Sequence, residues 1–335
     1  MKKITALAVI LAAVLAVANV CPAAEFGIAL SIMTANVPPG ADVAGMGNCW
    51  VALPNFSTNN PANIASGDQI RFGASYSYSF IMFKRGPNLN VHIGSASVAL
   101  PKGVLQINFS GANSGSAGTA MDLDAKFAYT PTIELMYGLR AFENLLRDGD
   151  KLFLGAGGSL SMSKLNFSSA GENVFISRSR GFQVKTGFLY QPVSGLNFGG
   201  MYAYSRERND DRELLVNEDD GSLSWAGKRS NSDMHQIRLG ASYQILPRLL
   251  LAADYQHLNI GHVKRDKYFI GAELQVVKDV LCVYGGWANS GPTAGIGAYW
   301  KWGGVNVAYA NNIFKDMNPH LGRSQMVSAM AWINY

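Results

Sequence analysis

The side chains able to do chemistry in this chain are few, and their spacing excludes most reactions before it suggests one. The five histidines (His92, His235, His257, His262, His320) form no His-x-x-x-His pair, and the cysteines form no Cys-x-x-Cys pair, so zinc-type ligand spacing is missing. Gly155-Ala156-Gly157-Gly158 has a superficial likeness to a nucleotide-binding loop. It lies inside an alternating segment with no helix after it, which small interior-facing residues explain better. No nucleophile-elbow pattern is present. The acidic run Glu218, Asp219, Asp220 lacks calcium-ligand spacing and reads as part of a solvated loop. The expectation is a protein that is not an enzyme and has no metal and no cofactor.

What remains is a set of ionisable residues at positions where a polar face is expected: Arg71, Lys185, Arg238, Asp254, Glu273 and Lys301. At membrane depth such groups must pair or meet water, and they mark either a pairing network or a path.

The elements that position them follow period two. From residue 69 onward apolar residues mostly alternate, the repeat of a strand. His235, Ile237, Leu239, Ala241, Tyr243 and Ile245 oppose Met234, Gln236, Arg238, Gly240, Ser242 and Gln244. Tyr268, Ile270, Ala272, Leu274 and Val276 likewise oppose Gly271, Glu273 and Gln275. A soluble sandwich also alternates, but its outer face is rich in lysine and glutamate. Here the second face is glycine, serine and glutamine with an occasional charge, as in a water-filled lumen whose other face meets lipid. Composition agrees. Charged residues are only 15% of 335 while hydrophobic ones are 48%, and mean hydropathy is near neutral. That is too polar for a bundle of apolar helices of about 20 residues each. The excess of 28 basic over 23 acidic residues is small and dispersed, which excludes nucleic acid as a partner.

Turn signals divide 69–335 into about fourteen strands, the even count of bacterial single-chain barrels. The expected spans are 69–84, 89–101, 103–111, 132–141, 151–165, 174–191 and 195–207, then 232–246, 248–260, 267–277, 280–290, 293–302, 304–313 and 325–335. Short turns alternate with longer connections at 112–131, 166–173, 206–231 and 314–324. Residues 121–129 alternate too, but Pro131 interrupts the ladder, so they are assigned to an outer loop. The charge-dense stretch 206–233 is read as a solvated loop. Residues 142–150 are a longer connection on the short-turn side. Aromatics near strand ends (Tyr202, Tyr204, Trp287, Trp300, Trp302, Trp332) suit a headgroup-level girdle.

Residues 1–24 read as a secretory signal: Lys2 and Lys3, an apolar run, then small residues around Ala23 and Ala24. The mature chain keeps Cys49 and Cys282, read as buried free thiols. Residues 25–68 alternate nowhere for long and are too few for their own core; they are expected to fold into the lumen as a plug. The fold class is thus all-β: a transmembrane antiparallel β-barrel over 69–335 with an amino-terminal plug over 25–68.

In that plug, Gly45-Met46-Gly47-Asn48 followed by Val51-Ala52, and then Asn60-Pro61-Ala62 ahead of a strand, resembles the hatch of FadL-like outer-membrane transporters. Gly187-Phe188-Leu189-Tyr190-Gln191-Pro192, Gly271-Ala272-Glu273-Leu274, Thr293-Ala294-Gly295-Ile296-Gly297, Val307-Ala308-Tyr309-Ala310 and Leu321-Gly322-Arg323-Ser324 resemble the PorV/PorQ-type branch of that group. The resemblance implies a fourteen-stranded barrel in the bacterial outer membrane. It implies passive movement of hydrophobic, fatty-acid-like small molecules past a hatch in which Gly45, Gly47, Asn60, Pro61 and Ala62 matter. It also implies recognition of the aromatic carboxy-terminal strand by barrel-assembly machinery. Two features depart from the fatty-acid transporters: the chain is short and lacks long apolar outer loops, and Cys49 stands where a small residue is usual. The PorV-like alternative is a scaffold that binds secretion-system proteins instead of a small molecule.

Overall fold

The structure is a computed structural model, and it describes residues 33, 35–54, 59–66, 72–84, 88–114, 118–120, 123–169, 172–216, 223–317 and 321–334. The signal region, Arg71, the Glu218-Asp219-Asp220 run and Tyr335 lie outside them.

Alternation selects strands, and antiparallel neighbours close them into a ring. The strands are β1 (Phe72–Phe83), β2 (Leu89–Leu100), β3 (Gly103–Ser114), β4 (Gly118–Ala120), β5 (Leu123–Glu143), β6 (Lys151–Ser169), β7 (Glu172–Val193) and β8 (Leu196–Val216). They continue with β9 (Leu223–Leu246), β10 (Leu249–Ile260), β11 (Val263–Val277), β12 (Leu281–Ala288), β13 (Gly291–Trp300), β14 (Gly303–Asn311) and β15 (Ser324–Asn334). Each pairs antiparallel with its neighbour, β1 pairs with β15, and β3 pairs directly with β5. The three-residue β4 only borders β5, so the closed ring has fourteen strands, as the turn signals predict. A closed ring leaves no exposed ladder edge, the condition for crossing hydrocarbon with strands.

The pleat sorts the side chains as expected. Ile237, Leu239 and Tyr243 are exposed on the outside, at 42 to 49%, whereas Gln236, Arg238 and Ser242 between them are buried inside. Barrel termini and the tight turns 101–102, 194–195, 247–248 and 301–302 share one rim, called here the turn end; the other rim is the loop end.

Three expectations are corrected at the loop end. Residues 123–143 form one 21-residue strand, because the ladder absorbs Pro131 with a register shift between Thr130 and Ile133 opposite a shift between Ser110 and Ala112. The charged stretch 206–233 is no loop in its described part: β8 runs to Val216 and β9 begins at Leu223, paired as far as Val216 with Leu223. Residues 166–169 and 172–173 likewise belong to strands. Strands β5 to β9 are therefore 19 to 24 residues long against 8 to 15 in the rest of the ring. At 3.3 Å per residue and a tilt near 40°, ten extra residues raise that sector by roughly 25 Å.

At the turn end, residues 144–150 are held without a helical turn. The Asp150 carboxylate accepts from the backbone N–H groups of Leu145, Leu146 and Arg147 at 2.7 to 3.2 Å and from the Tyr190 hydroxyl at 2.8 Å. Outside, near the loop end, one constellation occurs twice. Tyr76 bonds His92 Nδ1 (2.7 Å) while Tyr78 bonds Asn90 (2.6 Å); Tyr202 bonds His235 Nδ1 (2.8 Å) while Tyr204 bonds Asp233 (2.9 Å). Outward rings with partnered polar tips suit a headgroup-level belt, but Trp332, expected in that belt, faces the lumen against Tyr299.

Candidate functional site

The lumen site begins with the plug. Helix α1 (Ala41–Gly45) spans five buried residues and packs on β12 to β15. Its small side chains let it lie close: a Cβ on Gly45 would come within 2.9 Å of Tyr284. After it the chain reverses through Gly47 (φ +69°) and Asn48 (φ +63°), left-handed conformations suited to glycine and asparagine. Gly47 has a second constraint, since a Cβ there would meet the Ile270 carbonyl oxygen at 2.1 Å. Thr293 of β13 locks this reversal, accepting from Gly47 N–H (2.9 Å) and donating to the Gly45 carbonyl (2.8 Å).

The next anchor is electrostatic. Asp254 of β10 accepts from the backbone N–H groups of Trp50 (2.9 Å) and Val51 (3.1 Å). The same oxygen pairs with Arg238 Nε of β9 at 2.9 Å, with both side chains shut off from solvent. The Arg238 guanidinium lies between the rings of Trp50 (4.1 Å) and Phe269 (4.3 Å) and also donates to the Asn48 carbonyl. Two N–H donors and the stacked guanidinium all serve one oxygen of the buried carboxylate, Oδ2, while Asp254 Oδ1 and Arg238 Nη1 are buried without a hydrogen-bond partner among the described residues. Cys49 beside it is buried, its Sγ 3.7 Å from the Ala252 carbonyl; Cys49 and Cys282 are both free thiols. Burial pushes the Cys49 thiol well above its ordinary range, so the sulfur stays protonated and unreactive.

Asn60, Pro61 and Ala62 form the third anchor. Asn60 Nδ2 donates to the Val51 carbonyl (2.8 Å) and to the Phe188 carbonyl of β7 (3.1 Å), while its Oδ1 accepts from Ala62 N–H (3.1 Å). Pro61 turns its carbonyl toward β5 and β6, where Cβ atoms on Gly138 or Gly155 would sit within 2.5 Å of it. A 3-10 turn over Asn63–Ala65 follows, with Asn63 Nδ2 tied to the Trp50 carbonyl (2.9 Å).

These contacts expose a pattern in the wall. Gly138, Gly155 and Gly187 are register partners across β5, β6 and β7; Gly199 faces Gly240 across β8 and β9; Gly271 faces Gly286 across β11 and β12. Each lacks a Cβ where plug atoms lie: on Gly187 it would meet Asn60 Oδ1 at 2.0 Å, on Gly199 the Val51 carbonyl at 2.1 Å, and on Gly271 the Met46 carbonyl at 2.1 Å. The wall glycines are a seat cut to the plug's backbone.

Beside the seat lies a cavity of about 360 Å³. Its apolar lining includes Val37 of the plug, Leu89, Val91 and Ile93 of β2, and Met330 of β15. Its polar lining includes Ser95, Gln106, Asn108, Gln183 and Gln236. Lys185 borders it, paired with Glu134 at 2.5 Å; Glu134 also accepts from Asn108 at 2.7 Å. The surface is amphipathic: one side suits a hydrocarbon body, the other a polar group.

Of the ionisable residues singled out from the sequence, Lys185, Arg238, Asp254 and Glu273 lie inside the barrel, and Glu273 is buried with Gln275 3.3 Å away. Among the described ones, only Arg238 and Asp254 meet each other. Lys301 is corrected: it sits in the tight turn 301–302, exposed, above the Trp302 ring, because β13 ends at Trp300. Glu134, the partner of Lys185, and Asp316, which pairs with buried Lys267, went unnoticed in the sequence. Alternation gave a signal for Glu134, since it faces inward between exposed Ile133 and Leu135. Nothing local marks Asp316, which a 3-10 turn at the loop end carries over β11.

No protein-family model and no curated protein sequence matches the chain. Solved structures do. The toluene transporter TbuX of Ralstonia pickettii superposes with a TM-score of 0.58 at 13% identity, over 88% of this chain and 97% of that one. The CymD monoaromatic hydrocarbon channel gives 0.60 at 13%, over 90% and 98%. A FadL homologue of Pseudomonas aeruginosa gives 0.53 at 12%, over 89% and 99%. At such identities the likeness is one of fold: the closed fourteen-strand barrel is shared along nearly the whole length of each.

Proposed function

We propose that this chain is an outer-membrane barrel through which hydrophobic, fatty-acid-like small molecules pass without energy input. The observation that carries this reading is the amphipathic cavity between plug and wall, with Val91, Ile93 and Met330 on one side and Gln183 and the Lys185–Glu134 pair on another. Pockets of a few hundred cubic ångströms with a mostly apolar lining and a few placed polar groups suit small ligands. An apolar solute is slowed by a polar outer leaflet, and such a cavity offers it a waypoint. The described neighbours support the reading, since their own names record toluene and monoaromatic hydrocarbon transport. Uptake of a labelled long-chain fatty acid and of labelled toluene by cells lacking the gene is the test. Restoration by the native chain but not by Ile93→Arg is expected. Unchanged uptake on deletion of the gene would overturn the reading.

The motifs Gly187 to Pro192 and Leu321 to Ser324 favour the PorV/PorQ-type branch within this group, and with it a second reading as a scaffold for secretion-system proteins. That reading predicts protein partners that co-purify from native membranes and no solute uptake.

A further inference from the structure

Among the described residues, outward-facing cations are concentrated in one sector, immediately beyond its apolar band. On β6 the exposed Leu160 and Met162 are followed by Lys164; on β7, running the other way, Val184 and Phe182 give way to Arg180 and Arg178. On β8, Tyr202 and Tyr204 are followed by Arg206, Arg208 and Arg212, and β9 brings Arg229 to the same face. Register sets them side by side. Arg180 is opposite Arg208, and Arg178 lies between Lys164 on one flank and Asp210 on the other, with Arg229 next beyond Asp210. The acids on this face are Asp210, paired with Arg229 at 2.9 Å, and Asp233, 3.5 Å from Arg206. Lys164, Arg178, Arg180, Arg208 and Arg212 make no ion pair among the described residues.

The adjoining strands, which end lower, are different. There β10 and β11 present Tyr255, His257 and Asp266 hydrogen-bonded together, with Lys264 beyond them. A cluster of unpaired guanidinium groups is self-repelling unless an anion sits among them. Arginine's planar fork matches phosphate oxygens in bidentate fashion, and strand spacings of about 4.8 Å across and 6.7 Å along set the forks within reach of one headgroup. Directly under the cluster the wall turns apolar, where acyl chains would lie.

We propose that the outward face of β6 to β9, centred on Arg178, Arg180, Arg208 and Arg212, binds the phosphorylated headgroup of an outer-leaflet lipid. Basic clusters at a membrane boundary are a general means of recognising anionic lipid. The inference rests on the outer-membrane placement in the preceding reading, with the loop end outward, and is independent of passage through the lumen.

The test uses the full chain purified in detergent from the outer-membrane fraction. Binding of a bis-phosphorylated glucosamine-disaccharide glycolipid, of the same lipid without its phosphates, and of inorganic phosphate is titrated by native mass spectrometry. The native protein should bind the phosphorylated lipid at least tenfold more tightly than the dephosphorylated one. Arg180→Glu with Arg208→Glu should abolish that preference, and Lys264→Glu on β11, outside the cluster, should leave it intact. Equal binding of the two lipids, a preference that survives the double substitution, or displacement of the lipid by equimolar inorganic phosphate would overturn the proposal. Folding of each variant is checked by its heat-modifiable gel mobility, and Arg178→Gln with Arg212→Gln replaces the charge reversal if that variant fails to fold. Absence of the native protein from the outer-membrane fraction would overturn the placement itself, whereas correct fractionation without lipid preference overturns only this inference.

Discussion

The lumen has two sectors that treat the plug differently. From β5 round to β13 the wall is cut back to glycine at the level of the plug and offers Asp254 and Thr293 to its backbone, so main chain meets main chain. Across β1 to β3 the wall instead presents Leu89, Val91, Ile93 and a run of serines to open volume. The first sector holds the plug by shape and by hydrogen bonds that a solute cannot replace; the second leaves the room a solute needs. A barrel can therefore be stopped and still have a cavity: β1 to β3 serve the cavity alone, whereas β5 to β9 carry the glycine seat and, farther toward the loop end, turn Glu134, Gln183, Lys185 and Gln236 to the open volume.

The largest effect on this contrast should come from removing the seat. Gly187→Val places side-chain atoms where Asn60 Oδ1 now lies, at 2.0 Å from the first carbon added. The plug must leave that wall, and single-channel conductance in planar bilayers should rise from near zero to a large open level. The equivalent substitution at Gly285, whose Cβ would meet open space, should leave conductance unchanged.

Next in size is the electrostatic anchor. Asp254→Ala strands the buried Arg238 charge and two backbone N–H groups, which costs about 3–5 kcal/mol. The expected readout is earlier loss of heat-modifiable mobility on warming together with protease access to the plug, while the barrel itself stays protected.

Substitution in the open sector should act on the solute alone. Ile93→Arg puts a charge against the apolar lining, and uptake of a labelled hydrophobic solute should fall by roughly tenfold or more, the cost of burying an unpaired charge. Conductance and plug protection should match the native protein. If Ile93→Arg also releases the plug, the two sectors are not separable.

The smallest effect concerns the turn end. Burial raises the Asp150 carboxyl, but the Leu146 N–H, the Tyr190 hydroxyl and the Leu145 and Arg147 N–H groups outweigh it and hold the carboxyl below its ordinary range. A depressed carboxylate contributes stability in full above the unfolded value, near 3.9, and loses it as pH falls through the folded value. Cleavage of residues 144–150 by an acid-active protease should therefore be slow at pH 5 and quicken below about pH 4. Asp150→Asn should cut readily across the whole range.

Much of this was legible in the sequence where one side of a strand faces lipid. β10 occupies 249–260 against an expected 248–260, because apolar and polar residues alternate along its whole length. β9 begins at Leu223 against an expected 232, because beyond the apolar band both faces meet water and charge replaces alternation. Pro131 does not end the strand its type suggests it would end, since a bulge lets the ladder pass a residue that lacks a donor. In the plug, Gly45, Gly47 and Asn60 stood out by type, but their partners could not be read: Thr293 and Phe188 lie 248 and 128 residues away. Gly155 faces the lumen, as the alternation through Gly155 to Gly158 implies, but nothing local in the sequence tells that it makes room for Pro61.

The most direct measurement is a structure of the protein taken from native outer membranes with its lumen contents identified. Elongated apolar density against Val91, Ile93 and Met330, with its polar end toward Gln183 and Lys185 and the plug still on its glycine seat, is the predicted result. A cavity filled by a segment of a partner protein, or by ordered water alone, would contradict it.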